Sequence, residues 1–206
     1  MALEQAQAVA AAASKGAEVS IPAIRRETMR VTLIGDSALI SHKWSDKAKK
    51  EMLDKQMKQA KTAKAAKDPE RDYRESLYEL DGGGYGFPCV AFKAAAVGAC
   101  RFTDGLKMTE ARGAFHVDGE YATIEGEPSM REDMVRVGMG TADIRYRGEF
   151  KTWRTTLRIT YNADAITQGQ IVNLFNLAGF GVGVGEWRPE KDGSYGRFHV
   201  AGQEEL

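Results

Sequence analysis

Two stretches of this sequence hold residues whose types and spacing could do chemistry. In the first, FPCVAFKAAAVGACR (residues 87–101), a loop ending in Pro88 delivers the chain into a helix whose early turns carry Lys93, with Arg101 just past its end. Unpaired amides, the positive end of the helix dipole and an ammonium group together make a seat for phosphate. The bland alternative is that Lys93 lays its stem along a buried helix and keeps only its head in water. In the second stretch, Gly179, Gly181, Gly183 and Gly185 alternate with Phe180, Val182 and Val184, and Arg188 and Arg197 follow. A backbone bare of side chains at Gly181 and Gly183 can press against a sugar-phosphate chain, or equally against another backbone as a close-packed turn. A helix rather than a strand precedes this run, so it is not a dinucleotide fingerprint.

Other residue types point away from catalysis. His42, His116 and His199 are scattered, no Ser/His/Asp set or paired carboxylates stand at meaningful spacing, and no catalytic residue is assigned. Cys89 and Cys100 lack partners at metal spacing, so neither a metal site nor a disulfide is expected, and no cofactor. Buried thiols are the ordinary reading. Phe92, Tyr146 and Trp187 offer faces on which bases could stack, with core packing the competing role for Phe92.

The elements that must position these groups follow from periodicity. Met29, Val31 and Leu33 alternate with Arg30 and Thr32, which predicts a strand reaching to about His42. From Ser45 or Asp46 a capped helix begins. Between Lys47 and Lys67 it carries eight lysines, Lys50 among them, against Glu51 and Asp54, a net +6. Asp68 and Pro69 stop it. Residues 45–80 read as an insertion, too poor in apolar residues to bury two sides. The glycines and proline of 81–88 predict a linker without regular structure, and Cys89 to Cys100 a tightly packed helix. Strands are expected at 114–120 and 121–125 with a hairpin or bulge signal at Asp118-Gly119. A basic hairpin is expected over 131–151, bearing Arg136, Arg145 and Arg147. A further strand covers 153–161 with Trp153, Thr155, Leu157, Ile159 and Tyr161 inward. A helix capped by Thr167 follows, ending at Gly179, and Tyr195 to Val200 forms the last strand.

Stripped of insertions, this order is βαββαβ, an α+β ferredoxin-like, RRM-like arrangement with both helices on one face of an antiparallel sheet. The other face is left for a partner. Residues 1–28 read as a flexible arm, and 29–206 as a single domain.

Composition sets bounds. The chain has 206 residues, with 29 Lys plus Arg against 29 Asp plus Glu. A polyanion-binding surface must therefore come from segregated rather than total charge. No apolar run near the start is long enough to span a bilayer, and a cytoplasmic protein of a bacterial or phage-infected cell is expected.

The two stretches together resemble the RAMP superfamily, the RNA-binding backbone subunits of CRISPR effector complexes. FPCVAFKAAAVGACR is similar to that family's first-helix motif, an aliphatic-Pro-small-Ser-Ser-Leu-Lys-Gly run followed by Arg. GFGVGVGEWRPEKDGSYGRFHV (residues 179–200) is similar to its C-terminal glycine-rich loop. Ala91-Phe92 stands where Ser-Leu is usual, and Ala94 follows the lysine in place of Gly, which suits a diverged relative, of a kind a phage could carry. The resemblance implies a ferredoxin-like palm, helical fingers at 45–80 and a thumb hairpin at 131–151. It also implies Lys93, Arg101, Arg188 and Arg197 along a backbone groove. In some members an aspartate after the first strand cuts RNA; Asp46 lies there, and equally caps a helix.

The expectation is a non-enzymatic protein that binds single-stranded RNA or DNA by its backbone, RNA foremost. It would oligomerise along that ligand or stack within a larger nucleoprotein complex. Lys47, Lys50, Lys93, Arg101, Arg136, Arg145, Arg147, Gly181, Gly183, Arg188 and Arg197 would make the contacts. The alternatives are a protein-interaction or virion-assembly subunit, and a metal-independent endoribonuclease.

Overall fold

The computed structural model describes residues 21–59, 66–137 and 140–205. Its strands are β1 (Arg26–Gly35), β2 (Leu39–Ser41), β3 (Tyr78–Glu79), β4 (Tyr85–Pro88), β5 (Phe115–Val117), β6 (Tyr121–Ile124), β7 (Pro128–Val137), β8 (Thr141–Phe150), β9 (Arg154–Asn162) and β10 (Phe198–Val200). Its helices are α1 (Asp46–Gln56), α2 (Pro69–Glu75), α3 (Cys89–Ala99), α4 (Met108–Ala114) and α5 (Gln168–Gly181). The fold is α+β, built on antiparallel sheets.

The principal sheet runs β10-β1-β9-β5, every neighbour antiparallel. Alternation decides its two faces. Val31, Leu33, Leu157, Ile159 and Phe198 are buried on one side, where α3 and α5 pack together and α5 meets β10. Phe92 of α3 sits at the centre, with the rings of Phe87, Trp153 and Phe198 at 5.8, 6.5 and 6.2 Å. Small residues let α3 lie this close to the sheet: Ala95, Ala96 and Ala99 are all buried. The start of α5 follows from its capping box. Thr167 Oγ1 accepts from the Gln170 amide at 3.2 Å, and Gln170 Oε1 accepts from the Thr167 amide at 2.9 Å.

Two three-stranded sheets flank this core, ordered β2-β8-β7 and β3-β4-β6. Ser76, buried after α2, ties the first of them together. Its carbonyl accepts from Ser41 Oγ at 2.8 Å and from the Lys43 amide at 2.9 Å, and its hydroxyl accepts from the Gly148 amide at 2.8 Å.

Several expectations need correction. The first strand does not run to His42: it ends at Gly35, and β2 leaves for another sheet after a turn whose Ser37 carbonyl accepts from Trp153 Nε1 at 2.8 Å. The lysine-rich helix closes at Gln56 rather than near Lys67; residues 60–65 lie outside the described residues, and α2 is a separate helix capped by Asp68, whose Oδ1 accepts from the Arg71 amide at 3.1 Å. The glycine-rich linker holds β4, pinned between β3 and β6. Asp118-Gly119 is a crossing between sheets, since β5 pairs with β9 while β6 pairs with β4. Of the supposed arm, residues 1–20 lie outside the described residues, whereas Arg26 to Thr28 already pair with Asn162 to Thr160. α5 continues through Gly179 to Gly181.

Candidate nucleic-acid interface

Between α3 and the loop 182–190 runs a groove of about 580 Å³. It brings together Lys93, Arg101, Arg188 and Gly183, four of the residues singled out by sequence, and adds Arg112 of α4, which sequence reasoning missed. No pattern within the short α4 marks Arg112; it becomes visible once α4 packs beside α3.

The charges in this groove are unequal. Glu190 lies 2.7 Å from the Arg101 guanidinium and 2.9 Å from that of Arg188. The hydrogen bond from Arg101 leads in holding the Glu190 carboxyl below its ordinary value against burial, with Arg188 adding to it. Glu186, held low by its hydrogen bond to His42 and by the charges of Arg147 and Arg188, also lines the groove. Lys93 and Arg112 stand apart: among the described residues neither meets a carboxylate, and Lys93 Nζ rests 3.1 Å from His116 Nδ1. The amide of Cys89 is taken by the Glu120 carbonyl at 2.9 Å, which removes one donor from the helix start.

The glycine run is explained by packing. Gly183 has φ +69° and Gly185 φ +77°, in the left-handed region that favours glycine. A Cβ on Gly183 would come within 2.7 Å of Pro189 Cδ, and one on Gly181 within 2.7 Å of the Phe102 ring. The missing side chains make room for the protein's own atoms, as the close-packed turn among the two sequence readings requires, while Gly183 still lines the groove.

A second hollow, of about 730 Å³, lies between α1, α2 and the β7–β8 hairpin, and His42 lines both. Here Arg145 Nε donates to Asp143 at 3.1 Å, and Lys67 binds the same carboxylate and the Ile144 carbonyl. The hydrogen bond from Lys67 draws the Asp143 carboxyl down. Tyr146 lines this hollow.

The remaining residues are not gathered. Arg147 is buried, with Asp133 at 3.3 Å and Glu186 at 3.9 Å, so it anchors the hairpin to the glycine loop instead of facing outward. Arg136 is exposed toward the far end of β7, and Lys50 is exposed on α1; the side chain of Lys47 lies outside the described residues. Arg197 is apart from the groove, its Nε donating to the Ser194 carbonyl at 3.3 Å. Phe92 is core. Asp46 is the first residue of α1, bonded to Lys49 Nζ at 2.9 Å, while Ser45 supplies the cap. Cys89 and Cys100 are free and buried, and burial pushes both thiols up. Among the described residues no group of three metal-ligating side chains occurs, and no helix is long and apolar enough to cross a membrane.

No protein-family model and no curated protein sequence matches the chain. The solved structure of Cmr6 from Pyrococcus furiosus aligns with 87% of this chain and 100% of its own length, at 9% identity and a TM-score of 0.43.

Proposed function

We propose that this protein binds single-stranded nucleic acid, RNA foremost, by its phosphate backbone and without catalysing a reaction on it. One observation carries the reading: the α3 groove unites Lys93, Arg101, Arg112 and Arg188, and leaves Lys93 and Arg112 without a carboxylate among the described residues. Phosphate would compete with Glu190 for the two arginines and meet the other two cations unopposed. The strand order supports a ferredoxin-like palm, with β1, β5, β9 and β10 as its four strands and α3 and α5 as its two crossing helices. On that plan 45–80 acts as fingers and β7–β8 as a thumb within a single RAMP-like domain. Copies would stack along one strand, in the cytoplasm of a bacterial or phage-infected cell.

The test is fluorescence anisotropy with a labelled 20-mer of oligouridine over a salt series. Lys93→Glu with Arg112→Glu should weaken binding at least tenfold and flatten the slope of log K against log salt by about 1.4, as expected for two phosphates on a single strand. An unmodified protein that binds neither oligouridine nor its DNA counterpart at low salt overturns the reading.

A further inference from the structure

The face of the principal sheet turned away from α3 and α5 has a chemistry of its own. β1 places Arg26, Thr28, Arg30 and Thr32 on it, and β9 places Arg154, Thr156, Arg158 and Thr160. Register sets Thr28 against Thr160, Arg30 against Arg158 and Thr32 against Thr156. The hydroxyls of the two threonine pairs lie 3.4 and 3.0 Å apart. No Phe, Tyr or Trp occupies an outward position on β1 or β9.

The opposed arginines are the telling feature, because like charges directly across a ladder cost stability. The hairpin shows how this protein treats such a pair. Arg131 stands opposite Arg147, and Asp133 takes both, at 2.8 and 3.3 Å. On the sheet face Arg158 has Asp118 at 3.4 Å but remains 67% exposed. Arg30 is exposed and meets no carboxylate among the described residues. A hollow of about 860 Å³ opens at the β5 end of this face, lined by Arg26, Thr28, His116, Arg158 and Thr160, with Asp118 the one acid among its described lining residues.

We propose that this face is a second phosphodiester-binding surface, one that holds a nucleic-acid backbone by charge and hydroxyl hydrogen bonds without stacking on bases. Guanidinium groups match phosphate oxygens two at a time. Strand geometry sets Arg26 and Arg30 about 13 Å apart along β1, and Arg30 about 5 Å from its opposite residue on β9. The threonine hydroxyls between them supply further donors to phosphate or sugar. With no Phe, Tyr or Trp outward on β1 or β9, the two central strands offer bases no stacking platform, so the contact there takes any sequence. It lies on the other side of the sheet from α3 and meets the groove at the β5 edge, where His116 of this hollow lies 3.1 Å from Lys93 Nζ.

The experiment compares unmodified protein with Arg26→Glu/Arg30→Glu and with the groove variant Lys93→Glu/Arg112→Glu. The probes are labelled oligouridine of 20 residues and an abasic phosphodiester strand of equal length. The sheet variant should bind both probes about tenfold more weakly, with the log-log salt slope smaller by about 1.4. Its melting temperature should not fall, because the carboxylate that Arg30→Glu introduces would face Arg158 across the ladder. Loss by the sheet variant with an unchanged groove variant upholds this face and overturns the groove reading; the reverse pattern overturns this proposal. A sheet variant that binds both probes as the unmodified protein does overturns it too, including the case in which the face captures an acidic peptide such as polyglutamate instead. So does loss of oligouridine binding with the abasic strand unaffected, since bases would then carry the contact.

Discussion

His199 shows what a single side chain can tie together. Its Nδ1 lies 2.6 Å from Asp36 Oδ1 and its Nε2 3.2 Å from Glu205 Oε1, so the charged ring donates on both sides and joins β10, the end of β1 and the segment near Glu205. Burial opposes the charge, but the two carboxylates outweigh it and hold the His199 pKa above its ordinary 6.5. A raised pKa stabilises the folded form fully below the unfolded value, and that contribution is lost as pH climbs from there through the folded value. Amide exchange at Gly202 to Glu205 should therefore be slower at about pH 6 than at about pH 9 after correction for intrinsic rates, and His199→Asn should remove the difference. Protection that instead strengthens toward alkaline pH would show that His199 is not the tie. None of this was legible in the sequence, where the histidine and Asp36 are separated by 163 positions.

Among elements, the β7–β8 hairpin depends on a buried polar chain. Arg131 donates to Asp133 and to Glu149 at 2.8 and 2.7 Å, stacks over the Tyr195 ring at 4.7 Å, and keeps its proton more firmly than a free arginine, the bonds to those carboxylates overcoming its burial. Arg147 joins Asp133 on one side and Glu186 on the other. Asp133→Ala would leave Arg147 buried beside Glu186 alone, and should cost about 3–5 kcal/mol, read by urea denaturation. Arg147→Met, which removes the second charge with little change in volume, should recover much of that loss when added to Asp133→Ala. Equal stability of Asp133→Ala and the unmodified protein would mean that the chain is not a structural anchor. This is where sequence reading reached its limit. Alternation alone placed Thr155, Leu157, Ile159 and Tyr161 of β9 inward, and the Thr167 cap placed the start of α5, because both signals are local. Arg147 looked like its exposed neighbours, since its partners lie 14 and 39 residues away. β4 was hidden by its glycine and proline, since what makes it a strand is the edge of β6 and not its own preference.

For the whole molecule, zero net charge conceals a partition that is only half of what sequence suggested. The cations are not collected in one trough: some line the α3 groove, some arm the open sheet face, and Arg147 lies inside. The helix motif and the glycine run lie along one groove, lined by Lys93, Arg101 and Arg188, with Arg197 outside it. Arg26, Arg30 and Arg158 were not seen as a site, because a period of two marks the inward residues as core and says nothing of what the outward ones touch.

The placing of β10 beside β1 has one more consequence, which concerns the order of events during synthesis. β1 is made before β9 and β10, with which it pairs across 120 or more positions of sequence, so the strand must wait unpaired while the intervening sheets form. Its arginines and threonines would then keep a solvated nascent edge from joining another chain. The core sheet can close only after Phe198 to Val200 have left the ribosome, because Phe198 covers Phe92 and its carbonyl lies against Gly179. A chain cut before Tyr195 should therefore lose its cooperative thermal transition while keeping helical signal in circular dichroism. A sharp transition in that shortened chain would show that folding proceeds without waiting for the end.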